Sequence, residues 1–414
     1  MTKTQQGILA GIRVLDFSRM LSGPYCTMML ADHGAEVIKI ESPEGDTSRG
    51  NGPYRGDDPE KQWAGYFVSL NRGKKSIVLD LKSAEAKATI IALLTTSHVL
   101  VENFRPGVME RLGLGYEELA AHNPALVYAA IRGFGDPRSG NSPYSSWPSY
   151  DVVAQAMGGL MSMTGQDRDH PMKTGPGIGD VFAGMMMSFA VVAAVRHAER
   201  TGQGQFVDIA MYDAMISLCE RMVYQYDIEG TVPEPSGNGH PLLAPFGIFR
   251  AADGWVSIGV ADDAFWRVLA ELMNRNDLLA DPRLATKEGR RRNAGEVNAA
   301  VTQWTARHDK AELSRLLGGR LPFGPLNDAR DIFADPHVAA RGMIAEVPHA
   351  DPGKRPWRIA ANPIHFGRTP AVEPRPPPRL GQDGAALSKS LASPAAEVTP
   401  ETGNGTDNWK AREF

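Results

Sequence analysis

The residue types most able to do chemistry converge on one short stretch. Gly175, Gly177 and Gly179 alternate with Pro176 and Ile178 and lead straight into Asp180, which opens a long apolar segment. Glycines at that spacing let a ligand approach the backbone beside a carboxylate. A carboxylate is ionised at neutral pH without help from a base, so as a nucleophile on an activated acyl group it needs no histidine partner. The same aspartate also reads as an N-cap, accepting the first free amide hydrogens of the helix and gaining from its dipole. Spacing taken by itself favours the plain cap. A second cluster is cationic: Arg72, Lys74 and Lys75 precede one β-branched run, and Arg105 and Arg111 follow another. Each alone reads as a solvated basic edge, but set together at successive ends of parallel strands they suit phosphate groups.

Other common chemistries lack their residues. A dinucleotide loop would need its third glycine where Asp180 stands. There is no GxxxxGK[ST] loop, HExxH, CxxC or GxSxG elbow, which argues against P-loop phosphoryl transfer, zinc hydrolysis and serine-esterase chemistry. His197 and His308 sit in no recognisable triad or ligand spacing. The two cysteines, Cys26 and Cys219, form at most one bridge and no structural zinc site, so no metal is expected and a reducing, cytoplasmic compartment is the simpler reading. Forty-four Lys and Arg against 48 Asp and Glu leave a net charge of −4, too balanced for a nucleic-acid binder. The apolar stretch 182–195, 14 residues that include Ser188, is short for a membrane span and suits a buried core helix, so no membrane association is expected.

The candidate residues need a frame, and the hydrophobic pattern supplies one. Residues 13–17, 35–40, 76–80, 98–102 and 126–132 read as strands, separated by helical patterns over 23–32, 84–95 and 116–121. Strands alternating with helices imply βαβ units, an α/β fold and a parallel sheet with both faces covered. Further along, helices are expected over 151–164, 180–200 and 213–226, with a strand at 206–211. The Pro- and Gly-rich stretch 229–245 marks the start of a smaller domain containing a strand at 254–260 and an amphipathic helix at 263–273. The last forty-odd residues, with seven prolines from Pro370 to Pro400, read as a solvated tail.

Several segments together resemble the family III coenzyme A transferases of the CaiB/BaiF type. They are Gly11-Ile-Arg-Val-Leu-Asp-Phe-Ser18, Gly34-Ala-Glu-Val-Ile-Lys-Ile-Glu41, Asn71-Arg-Gly-Lys-Lys-Ser76, the run from Glu102 to Gly113, Gly133-Phe-Gly135 and Gly179-Asp180. The resemblance continues through residues 201–205, Asp208, Asp213 and 237–241 to about residue 382. It implies a CoA-transferase that forms an interlocked homodimer, each chain a ring threaded by the other. A Rossmann-like large domain would come from residues 1–228 with a connecting segment and from 326–382, a small α+β domain from 229–325, and a flexible tail from 383–414. Asp180 matches the family's nucleophile. Coenzyme A contacts map to Leu21, Ser22, Ser42, Asn71, Arg72, Gly73, Lys74, Asn103, Phe104, Arg105, Arg111, Tyr150 and Asp151. Gly237, Gly239 and His240 form a loop over the substrate. Ser42 and Pro148 stand where some members place an arginine and a lysine. No cofactor is held permanently, because the CoA thioester is itself a substrate.

The implied reaction starts with attack of the Asp180 carboxylate on an acyl-CoA thioester. An anhydride and then an aspartyl-CoA thioester follow, and the CoA passes to an acceptor carboxylic acid. Free amides in the glycine turn before Asp180 are candidates for holding the tetrahedral oxyanion. The first rival is an α-methylacyl-CoA racemase of the same fold, which needs a second acid/base. Racemases of the family carry a histidine shortly before the position of Asp151, and here that place is Tyr150. The second rival, a non-catalytic CoA-binding protein, predicts loss of the nucleophile. A dicarboxylic acceptor with succinyl-CoA as donor is preferred on family frequency alone.

Overall fold

The β-branched runs form one six-stranded sheet in which every neighbour is parallel. In the computed structural model, which describes residues 7–392, the strands are β1 (Arg13–Asp16), β2 (Glu36–Glu41), β3 (Lys75–Val78), β4 (Val99–Glu102), β5 (Val127–Arg132) and β6 (Gln205–Ala210). They lie in the order β3-β2-β1-β4-β5-β6. Alternation along each strand sends side chains to opposite faces. Val14, Val99, Val101, Val127 and Ala129 pack on one side against Ala183, Met187 and Val191. Leu15, Ile38, Leu100 and Tyr128 pack on the other against Ile90 and Leu93. The chain moves outward from β1 to β3 and then returns to place β4 beside β1, so the direction of winding reverses there. That reversal opens a crevice at the carboxyl ends of β1 and β4, where ligands of open α/β sheets bind.

One helix, Ile178–Thr201, is long and apolar enough to cross a membrane among the described residues. It packs instead on β5, β6 and the helix Ser22–Asp32. Gly184 makes the last contact possible, since a Cβ there would stand 2.4 Å from the Ser22 carbonyl oxygen. Asp180 lies one turn earlier on the same face of that helix. The opposite face leaves Met185, Phe189 and Val192 exposed.

Beyond this body, β7 (Phe246–Ala251), β8 (Gly254–Gly259) and β9 (Phe323–Pro325) make an antiparallel sheet. It is packed by Trp266, Leu269, Val297, Val301 and Leu313 from its helices. A hairpin of β10 (Ile344–Val347) and β11 (Trp357–Ala360) sits against Trp63 and Val68. Some expected elements differ in detail. The helix expected over 151–164 is two, Asp151–Met157 and Leu160–Met163, because Gly159 turns left-handed between them. The helix expected over 213–226 is likewise divided, into Met211–Leu218 and Glu220–Glu229.

The expected tail needs a larger correction. The proline-rich stretch runs along the sheet, with the Val372 amide donating to the Asp32 carbonyl and the Gly73 amide to that of Arg375. At the free edge of β3, Ser76 donates to the Asp383 carboxylate at 2.8 Å and accepts from the Asp383 amide. The helix Gly384–Ala392 then follows, and its Leu387 joins the core with Ile77 and Ile90. Residues 383–392 are therefore packed structure, since Leu387 and Leu391 fall four apart and give the helix an apolar face. The remainder, 393–414, lies outside the described residues.

Two lysines are fully buried beneath the crevice. Lys74 Nζ donates to Asp16 Oδ2 at 3.0 Å, the Pro24 carbonyl at 3.1 Å and Asn71 Oδ1 at 2.9 Å. Lys39 Nζ donates to the Ser18 carbonyl at 2.8 Å and faces Asp46 Oδ2 at 2.9 Å. Removing one partner of a buried pair leaves the other charge uncompensated, which costs about 3–5 kcal/mol. Lys74→Ala is therefore expected to lower stability by roughly that amount in urea titration. Unchanged stability with only a raised KM for acyl-CoA would show that Lys74 serves the ligand and not the fold.

Candidate active site

Two loops leave the sheet at the crevice, and their backbones are fixed from below. After β1, the Asp16 carboxylate accepts from the Ser18 amide at 3.0 Å, from the Ser18 hydroxyl and from the Thr27 hydroxyl at 2.7 Å. After β4, the Asn103 amide group accepts from the Arg19 N–H at 2.8 Å, donates to the Arg19 carbonyl at 2.8 Å and donates to Ser22 Oγ at 3.2 Å. Between them, Met20 is left-handed, and its N–H donates to Asp46 Oδ1 at 3.2 Å. These contacts deliver Ser22 to the start of the helix Ser22–Asp32.

Ser22 meets Asp180 there. The Asp180 carboxyl accepts from the Ser22 hydroxyl and from the backbone amides of Ser22 and Asp151. Burial and then the Asp151 charge push its pKa up to about 6, while those hydrogen bonds hold it from rising further. The group is thus mostly ionised at neutral pH yet sheltered, which suits a nucleophile. Asp180 is not the helix cap. Gly177 occupies that position without a side-chain cap, and Asp180 is the third helical residue.

The glycine turn is tied to the neighbouring helix. Asp151 Oδ1 accepts from the Gly179 amide at 2.8 Å, and its Oδ2 accepts from Gln155 Nε2 at 2.8 Å. Gln155 Oε1 in turn accepts from the Thr174 amide at 3.0 Å. The Ile178 and Val181 amides donate to Pro176 and Gly177. Within the turn expected to offer free amides to an oxyanion, those of Ile178 and Gly179 are therefore engaged, and donors facing Asp180 come from Ser22 and Asp151. Asp151 itself serves the turn. Gln155 escaped the sequence reading, although its spacing of four from Asp151 on an expected helix places both on one face. Tyr66 also escaped it. It stands on the short helix Gly65–Asn71, and burial and then the charges of Asp180, Asp46 and Asp151 push its phenol up to about 12. No spacing in the sequence signals that position.

The cationic cluster divides. In a parallel sheet the entrance of β3 and the exit of β4 lie on opposite edges, so residues on either side of two strands need not meet. Arg72 pairs with Asp32 at 2.6 Å and donates to the Ser69 carbonyl at 2.7 Å. Asn71 and Lys74 are buried against each other, Gly73 faces the proline-rich stretch, and Lys75 pairs with Glu36. The side chains of Asn71, Arg72 and Lys74 therefore hold the fold in this structure and present no free group to a phosphate. A cavity of about 540 Å³ lined by Arg72, Gly73 and Lys75 opens at that entrance edge, away from Asp180.

Other expected residues follow the exits of the strands. Arg105 and Arg111 are exposed and without an ion pair among the described residues. Phe104 lies under the Arg19 guanidinium, 5.3 Å from it, which adds a cation that the sequence reading missed. Leu21 packs where a Cβ on Gly177 would stand 2.8 Å away. Ser42 follows β2, half-buried, and Tyr150 is 69% exposed beside Asp151. The loop of Gly237, Gly239 and His240 is held elsewhere in the same chain. The Gly237 amide donates to the Gly165 carbonyl at 3.1 Å, and the His240 ring lies 5.0 Å from that of Phe246.

Known proteins resemble the chain over nearly its whole length. The sequence profile of CoA-transferase family III matches residues 9–384. The chain is 47% identical over 370 residues to a succinyl-CoA:mesaconate CoA-transferase of Haloarcula hispanica, covering 88% of this chain and 91% of that protein. It is 36% identical over 400 residues to a succinate–glutarate CoA-transferase of Agrobacterium fabrum, covering 95% of this chain and 98% of that protein. The crystal structure of a CaiB/BaiF family protein from Brucella suis aligns with a TM-score of 0.82 at 35% identity, over 94% of this chain and 100% of that one. With near-complete coverage by profile, sequence and structure, the chain belongs to CoA-transferase family III and is an enzyme that acts on acyl-CoA.

Proposed function

We propose that this enzyme moves coenzyme A from succinyl-CoA to a dicarboxylic acid, with mesaconate the first acceptor to try, and that Asp180 carries the transfer. The observation behind this is the Asp180 carboxyl, mostly ionised at pH 7 and held by Ser22 and Asp151 at the mouth of the crevice. The choice of substrates follows the relatives' activities.

A carboxylate oxygen of Asp180 attacks the thioester carbonyl, the C–S bond breaks, and a mixed anhydride and CoA thiolate result. The thiolate attacks the aspartyl carbonyl, the donor acid leaves as its carboxylate, and an aspartyl-CoA thioester remains. The acceptor carboxylate attacks that thioester and expels the thiolate. The thiolate then attacks the acceptor's carbonyl, frees Asp180 and yields the new acyl-CoA. One thioester replaces another, so no phosphoanhydride is consumed. The Ser22 and Asp151 amides that face the carboxylate in the resting enzyme are placed to hold the aspartyl oxygen as it gains charge. Arg19, Arg105 and Arg111 serve the phosphates of CoA. Racemisation needs a second base near neutrality. Tyr66, with a phenol pushed up to about 12, is a poor one, and Asp151 is engaged by Gly179 and Gln155.

The working form is a homodimer of interlocked rings, with residues 1–228 and 326–392 as its large domain and 229–325 as its small one. The exposed Met185, Phe189 and Val192 on the helix Ile178–Thr201, with Val223, Tyr226 and Ile228 on Glu220–Glu229, give such a dimer its apolar surface. In the dimer the loop of Gly237, Gly239 and His240 covers the anhydride against water. The buried, unpaired Cys26 and Cys219 suit a reducing compartment, and we place the enzyme in the cytoplasm.

Asp180→Ala is expected to abolish CoA transfer across a panel of acyl-CoA donors and carboxylic acids read by mass spectrometry, with the fold retained. Hydroxylamine added during turnover should mark Asp180, and appreciable turnover by the alanine enzyme would sink the mechanism. Because the ionised carboxyl is the active form, kcat should fall as pH drops below about 6 and level off above it. A kcat constant down to pH 4 would speak against Asp180 as the titrating nucleophile. Interlocked chains cannot separate while folded, so sedimentation at nanomolar concentration should show dimer alone, and a folded monomer would refute the threading.

A further inference from the structure

Met20 lies on the loop between β1 and the helix Ser22–Asp32 with φ of 65°, a conformation that L-residues avoid and that persists only where surroundings enforce it. One carboxylate supplies the enforcement. Asp46 Oδ1 accepts from the Met20 N–H at 3.2 Å and from the Ser48 N–H at 2.9 Å, and Asp46 Oδ2 faces Lys39 Nζ at 2.9 Å. The side chains of Lys39 and Asp46 have no exposed surface, and Lys39 also holds the Ser18 carbonyl. Asn103 grips Arg19 from the other side. Two residues after Met20, Ser22 turns its hydroxyl and amide to Asp180.

We propose that Asp46 is a positioning residue for CoA transfer: its buried carboxylate holds Met20 left-handed and so sets Ser22 against the Asp180 carboxyl. The proposal rests on Asp180 as the nucleophile. Asp46 acts through the backbone of residues 20–22 and does not itself touch the reacting atoms.

The pH dependence separates this role from plain electrostatics. The titratable groups facing Asp180 are Asp151 and Tyr66, and those facing Asp46 are Lys39, Glu41 and Tyr66. Removing the Asp46 charge takes away an anion, which alone can only lower the pKa of Asp180. Losing the Ser22 hydrogen bonds raises it. An upward move of the acid limb of kcat therefore reports displacement of Ser22.

The test uses the full-length enzyme with the donor and acceptor pair most active in the substrate panel, and the variants Met20→Val, Met20→Gly, Asp46→Ala and Asp46→Ala with Met20→Gly. A β-branched residue resists the left-handed region, and glycine enters it freely. Met20→Val should lose about tenfold in kcat with its acid limb moved upward, and Met20→Gly should be about tenfold more active than Met20→Val. Adding Met20→Gly to Asp46→Ala should restore most of the lost kcat and return the acid limb. A wild-type kcat and acid limb in Met20→Val would overturn the proposal, as would an Asp46→Ala loss that Met20→Gly leaves unchanged. Where Asp46→Ala strands Lys39 and does not fold, the Met20 pair decides. Turnover by Asp180→Ala would instead remove the nucleophile assignment, whereas an inert Asp180→Ala beside a normal Met20→Val removes only the role of Asp46.

Discussion

A carboxylate without access to water organises the catalytic edge of this enzyme. Asp16 ends β1 at the point where the sheet reverses, and four groups converge on it: the amide and hydroxyl of Ser18, the Thr27 hydroxyl and the Lys74 ammonium. Burial alone would push the Asp16 pKa up, but Lys74, Lys39 and the two hydroxyls outweigh it and bring the group down to about 2. A carboxyl depressed below its ordinary value of 3.8 stabilises the fold above that pH, and the contribution is lost as pH falls toward 2. Through Asp16 the strand β1, the approach to β3 and the helix Ser22–Asp32 share one anchor. The crevice is therefore built on ionic contacts between side chains with no exposed surface.

The division of labour between buried and exposed cations follows from this. A lysine sealed under the sheet has no water to give up when a ligand arrives and no freedom to follow it. Arg19, Arg105 and Arg111 at the exit edge have both. Cations that resemble one another in sequence thus separate into those that hold the fold and those that are available to a phosphate, and burial decides between them.

The parallel sheet and the place of Asp180 at the start of a long apolar helix are legible in the sequence, because period-two and continuous apolar runs report strand and helix burial directly. Three features are not. Burial and pairing of a cation depend on residues far off in the chain, so Arg72 and Lys74 read as partners of Arg111 although Asp32 holds the one and Asp16, 58 residues away, the other. The helix boundary at Gly177 depends on how Asp151 captures the Gly179 amide, a contact between residues 28 apart, so Asp180 read as the cap. Prolines and few aromatics after residue 370 read as solvated chain, yet a segment that lies along a sheet edge needs backbone groups and one carboxylate more than it needs a hydrophobic face. Tyr66 and Met20 become visible only when the loops between β1, β2 and β3 close on one another.

The strap across β3 gives the enzyme a history as well as a shape. The outer amide and carbonyl of Ser76 find their partners on Asp383, 307 residues later in the chain. At translation rates of roughly 5–20 residues per second, that edge waits about 15–60 s after its own synthesis before its cover emerges from the ribosome. An uncovered strand edge invites pairing with other chains. The edge of β3 is thus open to such pairing until the segment around Asp383 arrives to cover it.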